Sequence, residues 1–261
     1  MSEERKRVPV LGVAVDDIDM SSTLSRIRRW IHERTGVRIC VAPVSTIVEA
    51  SEDPEYRALV NGADLVVPDG MPVVWAARMK GARQAKRVCG PDLMRKICTD
   101  YSFTHIKHFF YGTDQDTLAL LRSRLQEMNP EINICGAIAP PYFSKAVLES
   151  EETIAQINAA EADIVWVGLG APKQDVWVHL HRECLDAPVL IGIGAAFDFL
   201  AGVKPRAPVW MQRCGLEWFF RLCCEPRRLW RRYLVGNTKF LWRIIKEVFG
   251  LGTSVGKNIK K

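Results

Sequence analysis

The sequence predicts an α/β fold: a Rossmann-like, largely parallel sheet flanked by helices, followed by a basic helical C-terminal appendage. Three observations carry this. Short β-branched apolar runs alternate with stretches whose apolar residues recur at helical spacing, the pattern of parallel strands joined by crossover helices. Polar clusters fall just beyond the carboxyl ends of those runs, where open α/β sheets bind ligands. The composition turns aromatic and basic after residues 202–208, GVKPRAP. That break divides the 261 residues into a core over 1–208 and an appendage over 209–261.

The elements follow in order. Residues 8–15, VPVLGVAV, are continuous and β-branched and read as one buried strand. Ser21 or Ser22 caps a helix carrying Leu24, Ile27 and Ile31. Residues 37–41 form a strand, and 46–61 a helix with Pro54 at a turn inside it or between two pieces. A strand over 63–67 stops at Pro68-Asp69-Gly70, and a helix follows over 71–79. Another helix follows Gly90-Pro91. Strands over 107–111 and 132–138 bracket a helix over 115–128. A helix over 147–160, a strand over 162–169, a helix over 175–184 and a strand over 188–194 complete the core.

Bulk properties narrow the class. The start carries only a short apolar run before Asp16 and Asp17, so it is not a secretory signal. The longest apolar run, 187–203, is interrupted by Asp198 and is short of the about 20 residues that span a bilayer. Eight cysteines without a Cys-x-x-Cys pair, and five histidines, argue against a zinc site. Reduced thiols and the missing signal fit a cytoplasmic protein. The net charge of +6 is uneven: from Arg221 to the end, eleven Lys or Arg face two Glu, which leaves the preceding 220 residues at −3. A basic tail seeks a polyanionic partner or solubilises the end. It is not read as binding nucleic acid, because the body is slightly acidic and no nucleic-acid module is recognisable.

Several motifs can carry chemistry. Asp69, at a strand end, is rigidly held and able to reach a cleft, as a general base must be, although Asp-Gly is also a common turn pair. Gly112-Thr113 and Gly168-Leu169-Gly170 follow strands. Lys173 and Gln174 stand near a helix N-terminus, which favours phosphate. Arg221, Arg228 and Arg231, spaced by seven and three, share a face if one helix carries them, and guanidinium groups match diphosphate oxygens. Phe240, Leu241, Ile244, Ile245, Val248 and Phe249 form an apolar stripe beside Lys239, Arg243 and Lys246, with Trp242 as an anchor. Either a helix lying on an anionic membrane surface or one docked on its own core has this profile. Asp17-Ile18-Asp19 has a metal-binding form, but it precedes a helix and is read as its cap.

An ordered set of motifs resembles the WecG/TagA/CpsF family of glycosyltransferases. It comprises DPEYR (53–57), ADLVVPDGMPVVWAAR (63–78), RVCGPDL (87–93), Pro140-Pro141, VGLGAPKQD (167–175), GAAFDFLAGVKPRAPVWMQRCGLEWFFRL (194–222) and EPRRL (225–229). The resemblance implies an inverting, metal-independent hexosyltransferase with no cofactor. Typical members move N-acetylmannosamine or its uronic acid from UDP onto a sugar carried on undecaprenyl diphosphate; others serve exopolysaccharide or capsule assembly. It implies Asp69 as general base and Arg87 and Gln174 as pocket residues. It also implies that Arg221, Arg228 and Arg231 close over the donor diphosphate. Peripheral attachment to the inner face of the membrane, and association into homo-oligomers, are implied as well.

The chain departs from the family at one place. Many members end the strand before the first long helix with Thr-x-Asn, where this chain has Val41 and Pro43, and Ser45 and Thr46 are the substitutes at hand. Asp175 replaces a usual Glu. The contrasting class is a non-catalytic membrane-associated scaffold of a polysaccharide assembly complex, to which the lost Thr and Asn are the sole pointer.

Overall fold

A computed structural model describes residues 5–141 and 150–248. The strand expected over 8–15 is a hairpin. β1 (Arg7–Val10) and β2 (Val13–Asp16) pair antiparallel and turn at Leu11-Gly12, where φ is 50° and 85°. Two residues of positive φ match the twist of a tight hairpin. The sequence conceals the bend because Val8, Val10, Val13 and Val15 are all buried, so no polar residue interrupts the run.

The main sheet contains β3 (Val37–Ala42), β4 (Leu65–Pro68), β5 (Lys107–Gly112), β6 (Asn133–Ile138), β7 (Ile164–Gly168) and β8 (Val189–Gly192). All pair in parallel, in the order β4-β3-β8-β7-β5-β6. Side chains alternate between two cores. Ile39, Val41, Leu65 and Val67 enter one, and Cys40, Ala42 and Val66 enter the other. Burial on both faces is why these strands read as continuous apolar runs.

Helices cover both faces: α1 (Met20–Glu33), α2 (Val44–Glu52), α3 (Pro54–Asn61), α4 (Met71–Met79), α5 (Gly90–Thr99), α6 (Gln115–Met128), α7 (Glu151–Ala159), α8 (Lys173–His181) and α9 (Ala196–Leu200). Asp19 caps α1 by accepting from the Ser22 amide, as expected. The helix expected over 46–61 is two, because the Asp53 carboxylate accepts from the Glu55 and Tyr56 amides and starts α3 anew. Residues 147–149 of the helix expected over 147–160 lie outside the described residues.

The chain ends in α10 (Val209–Arg213), α11 (Glu217–Cys224), α12 (Pro226–Trp230), a π-helical turn (Arg231–Val235) and α13 (Gly236–Val248). Glu225, at φ −133° and ψ 60°, separates α11 from α12. Arg221 and Arg228 therefore stand on different helices, not on the single one their spacing suggests. The apolar stripe of α13 also divides. Phe240 and Ile244 are buried in the core shared with the hairpin and α2. Leu241, Trp242, Ile245 and Val248 are exposed. Lys239 and Arg243 pair with Glu52 of α2 at 2.9 and 2.7 Å. Phe249 lies outside the described residues. No helix among the described residues is long and apolar enough to cross a membrane.

Gly112 ends β5 at φ 133°, and a Cβ there would meet the carbonyl carbon and oxygen of Gly168 at 2.7 Å. Rigid backbone cannot yield as a side chain can. Gly112→Ala is expected to lose about 2–3 kcal/mol, from strain at a glycine-only conformation plus overpacking, read by urea unfolding. A loss below about 0.5 kcal/mol would mean that the two strand ends separate easily.

Candidate active site

A cleft of about 300 Å³ opens where the carboxyl ends of β3, β4, β7 and β8 meet the C-terminal helices. The ladder itself aims Asp69 into it. The Asp69 amide donates to the Ala42 carbonyl at 3.1 Å and extends the β3–β4 pairing by one residue. Gly70 then turns at φ 92° and α4 begins. The Val88 amide donates to the Pro68 carbonyl at 2.9 Å, so the segment carrying Arg87 lies across the end of β4.

Arg87 is held from two directions. It donates to Asp92 of α5, to Glu217 of α11 and to the Gln212 side-chain carbonyl of α10, each at 2.8 Å. Arg206 pairs with Asp92 at 2.6 Å and also reaches Gln212. Burial would raise the Asp92 carboxyl, but hydrogen bonds from Arg206 and Cys89 hold it below its ordinary value. Asp69 goes the other way. Asp69 is half-buried at the cleft, and desolvation, with the charge of Glu217, lifts its carboxyl to about 7 against the opposing pull of Arg87 and Arg221.

The opposite wall is cationic. The Arg221 guanidinium lies between the rings of Phe199 and Tyr233, at 5.1 and 5.9 Å from their centroids. Arg228 pairs with Glu225 at 2.5 Å. Arg232 donates to the Ser45 hydroxyl at 2.7 Å. Lys204 pairs with Asp198 at 2.5 Å. The lining carries five cations, Arg87, Lys204, Arg221, Arg228 and Arg232, against three carboxylates, Asp69, Asp198 and Glu217. Such a surplus suits a dianionic ligand.

Of the residues expected from sequence, Ser45, Asp69, Arg87, Gln174, Arg221 and Arg228 line this cleft. Gln174 is buried, and its carbonyl accepts from the Gly194 amide at 2.7 Å, which fixes the turn after β8. Four others lie outside the lining. Thr46 is wholly buried in α2. Gly112 serves the close approach to Gly168, and Thr113 reaches the cleft instead. Lys173 starts α8 one position before Gln174. Arg231 is exposed, its guanidinium 5.2 Å from the Trp230 ring centroid. Arg232 takes its place because the break at Glu225 and the π-turn change the register. Its four-residue step from Arg228 was the available signal. Gln212 and Glu217 carry none, since their partner is 125 and 130 residues away. Asp175, expected as a variant of a usual Glu, lies below the cleft. Tyr56 donates to it at 2.5 Å and Cys40 at 3.5 Å, and burial raises it to about 6.

The model of the WecG/TagA/CpsF family of glycosyl transferases matches residues 8–253. The chain is 31% identical over 240 residues to an N-acetylglucosaminyldiphosphoundecaprenol N-acetyl-beta-D-mannosaminyltransferase of Bacillus spizizenii, covering 92% of this chain and 91% of that one. It is 30% identical over 221 residues to the protein of the same name in Bacillus subtilis, covering 84% and 83%. It is 27% identical over 249 residues to that of Staphylococcus aureus, covering 94% and 95%.

The raised Asp69 has a thermodynamic consequence. An unfolded Asp titrates near 3.9. Between about pH 4 and 7 the unfolded chain has released this proton and the folded chain still binds it, so stability falls as pH rises. Asp69→Asn removes that loss. The variant is expected to melt above the unsubstituted protein at pH 8, with the gap narrowing at pH 5, by differential scanning calorimetry. An equal gap at both values would place the Asp69 carboxyl in its ordinary range.

Proposed function

The chain belongs to the WecG/TagA/CpsF family of glycosyl transferases, and we propose that it moves a hexose of the N-acetylmannosamine type from a UDP donor to a polyprenyl-diphosphate-linked sugar. The observation that carries this reading is the pairing of one raised carboxyl, Asp69, with a facing wall of Arg221, Arg228 and Arg232. The names of the relatives supply the acceptor class and the sugar.

The reaction is a single displacement with inversion. The acceptor hydroxyl forms a bond to the anomeric carbon while the bond from that carbon to the diphosphate oxygen breaks. The hydroxyl proton passes to Asp69, and UDP leaves with the bonding electron pair. A base near pH 7 matches its task, strong enough to take the proton and still ionised in use. Negative charge grows on the leaving diphosphate. Fixed guanidinium groups stabilise that charge without reorganising, which is how electrostatic catalysis works without a metal. Arg221 is preset by its aromatic sandwich.

In the same reading, residues 209–261 form an appendage that holds the enzyme at the inner face of the membrane. Leu241, Ile245 and Val248 follow helical spacing on the exposed side of α13, with Trp242 and Lys246 beside them. Apolar residues, an interfacial Trp and a basic rim suit an anionic bilayer surface.

The test is transfer from a panel of UDP-sugars to a short-chain lipid-diphosphate N-acetylglucosamine acceptor, with and without EDTA. Transfer from one donor, unchanged by chelation, is expected, with kcat/KM rising through an acid limb near pH 7. Asp69→Asn should lower turnover by at least about 10²-fold, the lower end for a lost general base, while UDP binding by calorimetry stays within about twofold. Full activity of that variant would remove Asp69 from the chemistry. Leu241→Glu with Ile245→Glu should release the protein from anionic vesicles and leave UDP binding intact. Unchanged vesicle binding would end the membrane role of α13.

A further inference from the structure

Glu217 enters the cleft from α11 and meets Arg87 at 2.8 Å. It is the one contact in which a carboxylate of the C-terminal helices holds this guanidinium, since the other C-terminal partner, Gln212, is neutral. Both members of the pair are largely shielded, with side chains 16% and 23% exposed. Asp69 lines the same cleft and feels the charge of both.

We propose that Glu217 is a positioning residue for the transfer reaction: by taking the Arg87 guanidinium it keeps Asp69 free of an ion pair and lets it act as a base. This rests on the reading of Asp69 as the general base. Arg87 has more than one carboxylate within reach of its charge, namely Glu217, Asp92 and Asp69. Asp92 is already shared with Arg206 and Cys89. Remove Glu217, and the guanidinium nitrogen it occupied turns to the carboxylate left over, Asp69. A carboxylate bound to arginine is a weaker base. Glu217 does not serve as base itself, because Arg87 already engages its carboxylate.

The groups around Asp69 fit this assignment. From α11 come Glu217 and Arg221, from the π-turn Tyr233, from the segment before α5 Arg87 and Cys89, and from α5 Asp92. Glu217 is the strongest charged contributor that raises Asp69, and Arg87 the strongest that lowers it. These two are bonded to each other. Docking of α11 therefore delivers the residue that raises the base and occupies the residue that would quench it. The C-terminal helices then act on the base as well as on the diphosphate.

The experiment is the pH profile of kcat/KM for sugar transfer by the full chain carrying Glu217→Ala, which leaves Arg87 no side-chain acceptor at this position, beside Asp69→Asn, with UDP affinity by calorimetry. In Glu217→Ala the acid limb is expected to move about one pH unit lower, as losing a close like charge and gaining the freed guanidinium as a partner both do. The high-pH plateau should fall severalfold while UDP affinity holds within about twofold. A lowered plateau with the limb in place would make Glu217 merely structural, and an unchanged profile would give it no part; either overturns the proposal. Glu217→Asp keeps the charge on a shorter arm and serves if the first variant does not fold. A smaller shift in the same direction supports the proposal, and no shift overturns it. If Asp69→Asn keeps its turnover, the base assignment itself has failed. If that variant is inactive and the limb of the Glu217 variants stays put, only the present inference has failed.

Discussion

The guanidinium of Arg87 reaches its full set of partners only when distant stretches of chain meet: Asp92 on α5, and Gln212 and Glu217 on helices formed some 120 residues later. Arg206 completes the cluster by bridging Asp92 and Gln212. Ion pairs this far from water gain little net stability, because desolvation offsets most of the attraction. They are unforgiving of misplacement, since a missing partner strands a charge. The cluster is thus better understood as setting register than as adding stability. It ties α10 and α11 to α5 and to the segment before it, and residues of both sides line the cleft. Apolar docking of Phe240 and Ile244 supplies the attraction, and the polar cluster selects one of the ways to satisfy it.

From that docking follows the charge layout of the cleft. The sheet contributes its floor through Asp69, at the end of a ladder that leaves it little freedom. The C-terminal helices contribute Arg221, Arg228 and Arg232 as the facing wall. Core and C-terminal helices both contribute charged groups to the lining. The carboxyl of Asp69 is raised to about 7 by burial and by a like-charged neighbour, and that neighbour, Glu217, arrives with α11. One small cavity thus holds a raised carboxyl and a surplus of cations together.

Much of this was legible in the sequence, and the reason is range. Strand and helix positions follow from local periodicity, so α4 over 71–79 and α6 over 115–128 match their expected bounds. Asp69 was legible because a strand end followed by Asp-Gly is a local signal. The hairpin at Leu11-Gly12 was not, because both its strands are buried and the turn carries no polar mark. One-helix spacing and the family resemblance both point to Arg231, but with the break at Glu225 and the π-turn it is Arg232 that lines the cleft. Glu217 and Gln212 stayed hidden because only the tertiary fold gives them a partner. The apolar stripe of α13 satisfied two alternatives at once: spacing tells which residues share a face but not which face meets the core.

The wall made by Val41 and Pro43 bears on sugar choice. Both line the cleft at positions where the family resemblance puts Thr and Asn. Val41 has no polar side-chain atom, and the Pro43 carbonyl is taken by the Ile47 amide. Thr46 is buried, and the Ser45 hydroxyl already accepts from Arg232. This side of the cleft therefore offers shape with few hydrogen bonds. A site that bonds a substrate hydroxyl rejects analogues lacking it by about 10⁴-fold or more, whereas an apolar wall discriminates by only about 10–200-fold. On the proposed function, selectivity among related sugars then rests on the polar groups that remain on the lining, among them Asp198 paired with Lys204. Neither Val41 nor Pro43 supplies a charge or a side-chain proton acceptor, so on the proposed reading the proton and diphosphate steps rest on Asp69 and the arginines instead. On that reading, substitution at 41 and 43 bears on which sugar is accepted rather than on whether transfer occurs.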